Sequence, residues 1–279
     1  MSKSPNKKFC FLAMHELRCL SYINNLYEYL IDPYEADIII CCQDLTNKQD
    51  SMNLFHKNVI HKEKYIKPNP HKWYACSNTV KINGQNWNNA GCLQNYINYE
   101  KMSHIVEKYI DKYDYFILTR TDIKILFPYP PKDMFDTIPE AIYSFEPNYS
   151  KKYGGFHEPG FVHKNYILDV LRTPDYVLKN NIYPCNITFR GANSEKFVRA
   201  CWNHKKIPIF KSVIKNLNFF YIAKNLQTHT SWAKPQFNKK ANCFIKYKKQ
   251  VDEVYDNLNL WNQNKRWIYD DEKKQIYLN

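Results

Sequence analysis

The sequence predicts an α/β protein in which helices flank a mostly parallel β-sheet. Two short apolar runs, Phe9–Met14 and Ala36–Asp44, have the continuous hydrophobic character of strands buried on both faces. Between them, Tyr22–Leu30 has apolar residues at helical spacing. A strand, a helix and a second strand in this order are typical of a parallel sheet with crossover helices. With 279 residues, 44% of them hydrophobic, the chain is long enough to bury a large core.

The remaining elements are predicted in the same way along the chain. Residues 45–90 lack a clear period and are expected to be irregular, with one short helix at most. An apolar stripe predicts a long helix from Gly91 to Asp111, which leads into a third strand, Tyr115–Leu118. Further on, the patterns predict a strand at Ala141–Phe145, a strand end entering a helix at Phe161–Leu171, a helix at Glu195–His204 and a strand at 207–214. We expect residues 1–224 to form the main domain, and residues 225–279 to be a C-terminal extension packed on it.

The charge of the chain favours an anionic partner without identifying it. Lys and Arg number 40 against 27 Asp and Glu, which gives a formal net charge of +13. Nucleotides, nucleic acids and membrane surfaces would all be attracted. The basic residues occur only in short clusters such as Lys151-Lys152 and Lys248-Lys249, so no nucleic acid is expected as a partner. A basic, non-catalytic nucleic-acid-binding protein is the alternative, and it requires a continuous basic stripe with exposed aromatic side chains.

Cysteine usage and hydropathy predict a cytoplasmic protein. The nine cysteines are scattered and form no C-x-x-C pair, so neither a zinc ribbon nor a thioredoxin-like motif is predicted. Reduced, buried thiols indicate an intracellular compartment. The first residues lack the apolar region of a signal peptide, and no stretch is apolar enough for a transmembrane helix.

Polar residues follow the first three predicted strands, at the edge where open α/β sheets bind ligands. The third strand ends in Arg120-Thr121-Asp122. No glycine-rich phosphate loop is present, so a bound nucleotide would need a divalent cation and basic side chains. Asp122 is the candidate cation ligand, because Mg²⁺ takes carboxylate oxygens and shares its shell with phosphates. Arg120 either contacts phosphate or holds Asp122, and a purely structural ion pair is the competing interpretation.

The segment "YDYFILTRTDI", residues 113–123, resembles the metal-binding strand of GT-A-fold glycosyltransferases. It is most similar to lipopolysaccharide- and capsule-type transferases and to the capsid-glycan glycosyltransferases of large algal DNA viruses. In that group an R-x-D form replaces the usual D-x-D. The segment "NSEKFVRACWNHKKIPI", residues 193–209, resembles another part of the group, with Ser194-Glu195 where Pro-Glu is common. The resemblance covers roughly residues 8–215.

The resemblance implies a GT-A-like fold with a Rossmann-like sheet, and the transfer of a sugar to a hydroxyl of a glycan acceptor. The donor would be a nucleoside-diphosphate sugar, which we expect to be a UDP-linked hexose or pentose. If the chain is viral, it would act in capsid glycan synthesis in the host cytoplasm. The resemblance implies Mn²⁺ or Mg²⁺ on Asp122, with His163 or His157 as a second ligand. The predicted donor-binding residues are His15, Glu16, Arg18, Asp44, Lys101, Arg120 and Thr121.

We expect inversion at the anomeric carbon, which requires a base to deprotonate the acceptor hydroxyl. Glu158 is one candidate, because it lies in a glycine-bearing loop, 146–160, after the fourth strand. Glu195 is the competitor, although a glutamate in a first helical turn also complements the helix dipole. If the enzyme retains configuration, neither assignment stands.

Overall fold

A mixed β-sheet lies at the centre of the computed structural model. The model describes residues 7–15, 17, 22–43, 51–66, 81–82, 85–86, 90–125, 128–144, 160–180, 194–213, 219–221, 236–238, 243–245, 266–273 and 275–278. The described strands are β1 (Phe9–His15), β2 (Asp37–Gln43), β3 (Val59–Tyr65), β4 (Lys81–Ile82), β5 (Gln85–Asn86), β6 (Tyr115–Leu118), β7 (Ile123–Ile125), β8 (Ile142–Ser144), β9 (Phe161–His163), β10 (Ile209–Val213), β11 (Phe219–Tyr221), β12 (Gln236–Asn238), β13 (Cys243–Ile245), β14 (Trp267–Asp270) and β15 (Gln275–Leu278).

The helices connect these strands. They are α1 (Ile23–Leu26), which continues as a π-helical turn at Tyr27–Ile31, α2 (Ala90–Val106), α3 (Lys164–Lys179) and α4 (Ser194–His204). Short 3₁₀ turns occur at Ser51–Leu54, Ile110–Lys112 and Lys132–Asp136. Among the helices described, none combines the length and the hydropathy needed to cross a bilayer.

Nine of the described strands form one sheet in the order β14-β15-β10-β8-β9-β6-β1-β2-β3. Strands β3, β2, β1 and β6 are mutually parallel neighbours, and so are β8, β10 and β15. Strand β9 runs antiparallel to both β6 and β8, and β14 returns antiparallel to β15. All other strands of this sheet therefore point the same way. The prediction of an α/β protein with a mostly parallel sheet is confirmed, and the sheet is compatible with a Rossmann-like fold.

The sheet is buried on both faces, and β1 shows how. Its side chains alternate between the two faces, as in any strand. Phe9 and Phe11 join a core cluster with α1 and the 3₁₀ turn at Lys132–Asp136. Cys10 and Leu12 join a second cluster with α2, α3 and α4. Burial on both faces explains why the central strands have unbroken apolar runs.

Most predicted elements are confirmed within one or two residues, and the differences have physical causes. The predicted long helix ends earlier, at Val106, because residues 107–109 form a turn before the 3₁₀ turn at Ile110–Lys112. Strand β3 lies in the segment that was expected to be irregular. It forms an edge of the described sheet, and exposed polar residues such as Lys62 and Glu63 interrupt its apolar pattern.

The C-terminal tail contributes to the central sheet. Strand β15 pairs in parallel with β10, and β14 forms a hairpin with β15. Trp267 and Ile276 enter the same core cluster as Phe9, and Trp267 Nε1 donates to the Pro128 carbonyl at 3.3 Å. The weak periodicity of the tail concealed these strands, because each is only four residues long.

Candidate active site at the carboxyl edge of the sheet

The carboxyl ends of the parallel strands meet at one edge of the sheet, and the segment after β6 lies there. Strand β6 ends at Leu118, which pairs with Leu12 of β1. Strand β1 extends three residues beyond this pair, to His15. On the other side, the Leu118 N–H donates to the Gly160 carbonyl at 3.1 Å. Residues 119–122 therefore leave the sheet between the end of β1 and the start of β9.

Arg120 and Asp122 form a two-point ion pair in this segment. Arg120 Nε donates to Asp122 Oδ1 at 2.6 Å, and Arg120 Nη2 donates to Oδ2 at 2.7 Å. The Asp122 side chain is 3% exposed, whereas that of Arg120 is 28% exposed. Bidentate arginine–carboxylate pairs are among the strongest hydrogen-bonded contacts in proteins. Of the two roles predicted for Arg120, the structure therefore shows the one in which it holds Asp122.

A side chain from α1 fixes the backbone that follows Asp122. Asn25 Oδ1 accepts from the Ile125 N–H at 2.7 Å, and Asn25 Nδ2 donates to the Ile125 carbonyl at 2.9 Å. Ile123 and Ile125 are buried in the core on the α1 side of the sheet. The Asp122 carboxylate thus directly precedes strand β7, which is held by Asn25, a residue 100 positions earlier in the sequence. Sequence reasoning missed Asn25, because nothing in a short helix indicates a contact over that separation.

The buried residues around Asp122 include a second polar side chain, Thr121, which is 6% exposed. Ser144 ends β8 at the same edge of the sheet and is 1% exposed. Within the described part of the chain, the Ser144 hydroxyl has no hydrogen-bond partner. Buried polar groups are nearly always hydrogen-bonded, so this oxygen is a group that a ligand at the edge could satisfy. Its place at the end of the predicted fourth strand was the available signal.

Lys101 lies at another part of the carboxyl edge. Its Nζ is 5.2 Å from the ring centroid of Tyr65, the last residue of β3, and the Tyr65 hydroxyl donates to Asn98. Burial raises the pKa of Tyr65, so the hydroxyl remains a donor. Strand β3 is separated from β6 by β2 and β1, a lateral distance of about 14 Å at normal strand spacing. The structure does not bring Lys101 next to Asp122.

His163 lies at the opposite edge of the sheet, which corrects its predicted role. His163 pairs with Tyr115, the first residue of β6. Asp122 comes after Leu118, the last residue of the same strand. Because β9 runs antiparallel, its final residue reaches the amino end of β6, about 10 Å from the carboxyl end. His163 Nδ1 accepts from the Asn165 N–H at 3.3 Å, and burial lowers the pKa of the imidazole. His163 therefore caps α3 and cannot share a cation with Asp122.

The remaining predicted site residues fall into two groups. Glu16, Arg18, Asp44, His157 and Glu158 lie outside the described residues. For His15 and Glu195 only the backbone is described. His15 is the last residue of β1, at the carboxyl edge.

Glu195 is the second residue of α4, and the direction of this helix decides which edge it is near. The Ile142 N–H donates to the Pro208 carbonyl at 2.9 Å, so the chain that leaves α4 reaches the amino end of β8. An 11-residue helix is about 16 Å long. The first turn of α4 therefore lies toward the carboxyl edge, which is also where Asp122 lies.

The described residues do not form a complete metal cage. In the described ranges, no group of three or more His, Cys, Asp and Glu side chains could hold a metal ion. Asp122 offers one carboxylate, and both of its oxygens accept from Arg120. A carboxylate can accept up to about four contacts, and Mg²⁺ is usually held by one or two carboxylates together with water and substrate phosphates. Asp122 therefore fits a cation that is held largely by its ligand.

Comparison with known proteins adds no family to these observations. The sequence matches none of the protein-family models against which it was compared, and no curated protein is similar to it at a significant level. The fold and the site define an α/β protein with a buried, arginine-held carboxylate at the carboxyl edge of its sheet.

Proposed function

We propose that this protein is a glycosyltransferase that moves a sugar from a nucleoside-diphosphate sugar to a hydroxyl of a glycan acceptor. The observation that supports this most is the Arg120-Thr121-Asp122 segment, which directly follows a central parallel strand and has a buried carboxylate. Open α/β sheets bind ligands at this edge. The same residues give the sequence its resemblance to GT-A enzymes. A UDP-linked hexose or pentose is the proposed donor.

The chemistry of transfer explains why a cation is needed at this edge. When the bond to the sugar breaks, negative charge develops on the departing nucleoside diphosphate and must be stabilised. The Arg120 guanidinium is partly exposed and supplies one positive charge. A Mn²⁺ or Mg²⁺ ion would supply further charge stabilisation when bound. Asp122 is the proposed protein ligand for that ion.

The base for an inverting transfer is proposed to be Glu195, with Glu158 as the second candidate. A base must lie within hydrogen-bond reach of the acceptor hydroxyl. The orientation of α4 brings the backbone of Glu195 toward the edge at which Asp122 lies. The Ser144 hydroxyl, at the end of β8, is a proposed hydrogen-bond partner for a sugar at the same edge.

The described surface gives less support to nucleic-acid binding. Such a protein requires a continuous basic stripe. Lys57 pairs with Asp32 and Lys179 pairs with Asp175, each at 2.8 Å. Other lysines that lie against carboxylates are Lys132, Lys164, Lys205 and Lys273. The charges of these six lysines are therefore locally offset and do not add to a continuous basic stripe.

The proposed function is tested by the release of nucleoside diphosphate from a panel of sugar nucleotides with Mn²⁺. The Asp122→Asn substitution should lower the rate of nucleoside-diphosphate release at least about 100-fold. This is the usual cost of losing one group that stabilises charge in the transition state. The matched control is Asp133→Asn, which removes an exposed carboxylate in the 3₁₀ turn at Lys132–Asp136.

Rates are normalised to the folded fraction measured by circular dichroism, because loss of one partner of a buried ion pair also destabilises a protein. Equal rates per folded molecule for Asp122→Asn and the wild type would contradict the role of Asp122. If no sugar nucleotide in the panel turned over, the proposed activity would be rejected for those donors.

A further inference from the structure

The ion pair at the proposed site joins both carboxylate oxygens to one guanidinium. Both oxygens of Asp122 accept hydrogen bonds from one guanidinium, at 2.6 and 2.7 Å, and the carboxylate is almost completely buried. Arg120 is the more exposed member of the pair, with 28% of its side chain exposed. A cation that approaches Asp122 must therefore compete with a positive charge that already occupies both oxygens.

We propose that the Arg120–Asp122 pair is an exchangeable clasp that makes the binding of a divalent cation depend on the binding of a diphosphate. This inference rests on the proposed function and concerns the same site. The planar guanidinium fork fits phosphate oxygens as well as it fits a carboxylate. When a diphosphate binds at the edge, Arg120 exchanges Asp122 for phosphate oxygens, and the two oxygens of Asp122 become available to the cation.

The charges of the pair explain why the two ligands depend on each other. A cation that binds alone must displace Arg120 from the carboxylate oxygens and overcome the repulsion of its positive charge. A diphosphate alone would draw Arg120 away and separate a buried carboxylate from the guanidinium charge that faces it, which is strongly unfavourable. When both ligands bind, each charge again faces an opposite charge. Each ligand must then raise the affinity of the other by the same factor, because coupling between two binding equilibria is reciprocal.

The surrounding structure allows the pair to open without unfolding the site. Arg120 lies in the irregular segment between β6 and β7, so its movement breaks no sheet pairing. The strand after Asp122 is held separately, by the two hydrogen bonds between Asn25 and Ile125. Ile123 and Ile125 are 2% and 1% exposed and anchor that strand in the core. Opening of the ion pair therefore leaves the hydrogen bonds that hold β7 unbroken.

The experiment measures Mn²⁺ binding to the full chain by electron paramagnetic resonance, with and without UDP. Protein-free titrations correct for Mn²⁺ bound by UDP itself. For the wild type we expect weak binding of Mn²⁺ alone and at least tenfold tighter binding with UDP. For Arg120→Gln we expect Mn²⁺ alone to bind at least tenfold more tightly than to the wild type, with a smaller effect of UDP. Arg120→Lys keeps the positive charge but loses the two-point guanidinium fork, so its affinity for Mn²⁺ alone should lie between those of the wild type and Arg120→Gln.

The matched control is Lys124→Gln, which removes one positive charge two residues after Asp122. Lys124 belongs to β7, and its Nζ lies 5.7 Å from the ring centroid of Tyr22. If Lys124→Gln tightens Mn²⁺ binding as much as Arg120→Gln, general electrostatics explains the result and the clasp is rejected. Independent binding of Mn²⁺ and UDP to the wild type also rejects the clasp but leaves the proposed function standing. If neither Mn²⁺ nor UDP binds to any variant, the proposed UDP-dependent function is rejected together with the clasp.

Discussion

At the residue scale, Asp122 depends on contacts made from both sides of the chain. Arg120 holds its oxygens, and Asn25 holds the strand that follows it. The first contact is local, because it joins two residues that are only two positions apart in the chain. The second contact joins residues 100 positions apart and is fixed only by the packing of α1 on the core. Sequence could therefore indicate the pair but not its anchor.

Replacing Asn25→Ala should destabilise the protein by about 1–2 kcal/mol, because two hydrogen bonds to the Ile125 backbone are lost. It should also weaken binding of UDP with Mn²⁺, because the segment that positions Asp122 loses its anchor. Urea unfolding and the Mn²⁺ titration measure the two effects. The control is Asn24→Ala, an exposed neighbour in the same helix. Identical unfolding midpoints for the two variants would show that Asn25 does not anchor this strand.

Two predicted site residues, His163 and Lys101, lie away from Asp122 because of the direction and the order of the strands. His163 was expected near Asp122 as a possible second ligand of the cation. Which edge a strand end reaches depends on whether the strand runs parallel or antiparallel, and β9 is antiparallel to β6. The local pattern of a three-residue strand contains no information on its direction. Lys101 was expected near phosphate, but the order of four strands separates it from Asp122.

At the element scale, periodicity predicted the buried elements well and the edge strands poorly. Strands β1, β2 and β6 are buried on both faces, so their apolar runs were unambiguous. Strand β3 has one strand neighbour in the described sheet and a largely polar sequence, so it had no such pattern. Helix α4 was predicted almost to the residue, because its apolar face packs on α3 and α2.

The packing of α4 on the sheet depends on Trp202, and its replacement tests the position proposed for Glu195. Trp202 is 1% exposed, and its Nε1 donates to the Val170 carbonyl of α3 at 3.3 Å. We expect Trp202→Ala to cost about 3–5 kcal/mol of unfolding free energy through the cavity it leaves. Trp202→Phe should cost less, because the phenyl ring leaves a smaller cavity, and it also loses the hydrogen bond, worth about 1 kcal/mol.

Urea unfolding followed by circular dichroism measures both changes, and Asn203→Ala is the exposed control on the same helix. The control should change stability by no more than about 0.5 kcal/mol. An equally small effect of Trp202→Ala would mean that α4 is not docked as described. The first turn of α4 would then have no fixed place at the carboxyl edge.

At the scale of the whole molecule, one sheet brings together residues from distant parts of the chain. Arg120 and Asp122 lie after β6, Ser144 ends β8, and the first turn of α4 lies toward the same edge. The topology makes this possible, because the strands concerned are parallel and end together. The mostly parallel sheet could be predicted from the sequence. The tail strands that extend it, and the antiparallel β9 within it, could not, because short strands lack a measurable period.

The central claim, that this edge binds a nucleoside-diphosphate sugar, is tested most directly by thermal unfolding of the full chain with a panel of such donors and Mn²⁺. At a donor concentration of about 100 times Kd, mass action stabilises the folded state by about 2.7 kcal/mol, which raises Tm by about 5 °C or more. We predict such a rise for at least one donor with the wild type and a smaller one with Asp122→Asn. A panel in which no donor raises Tm, while a single-stranded nucleic acid does, would contradict the claim.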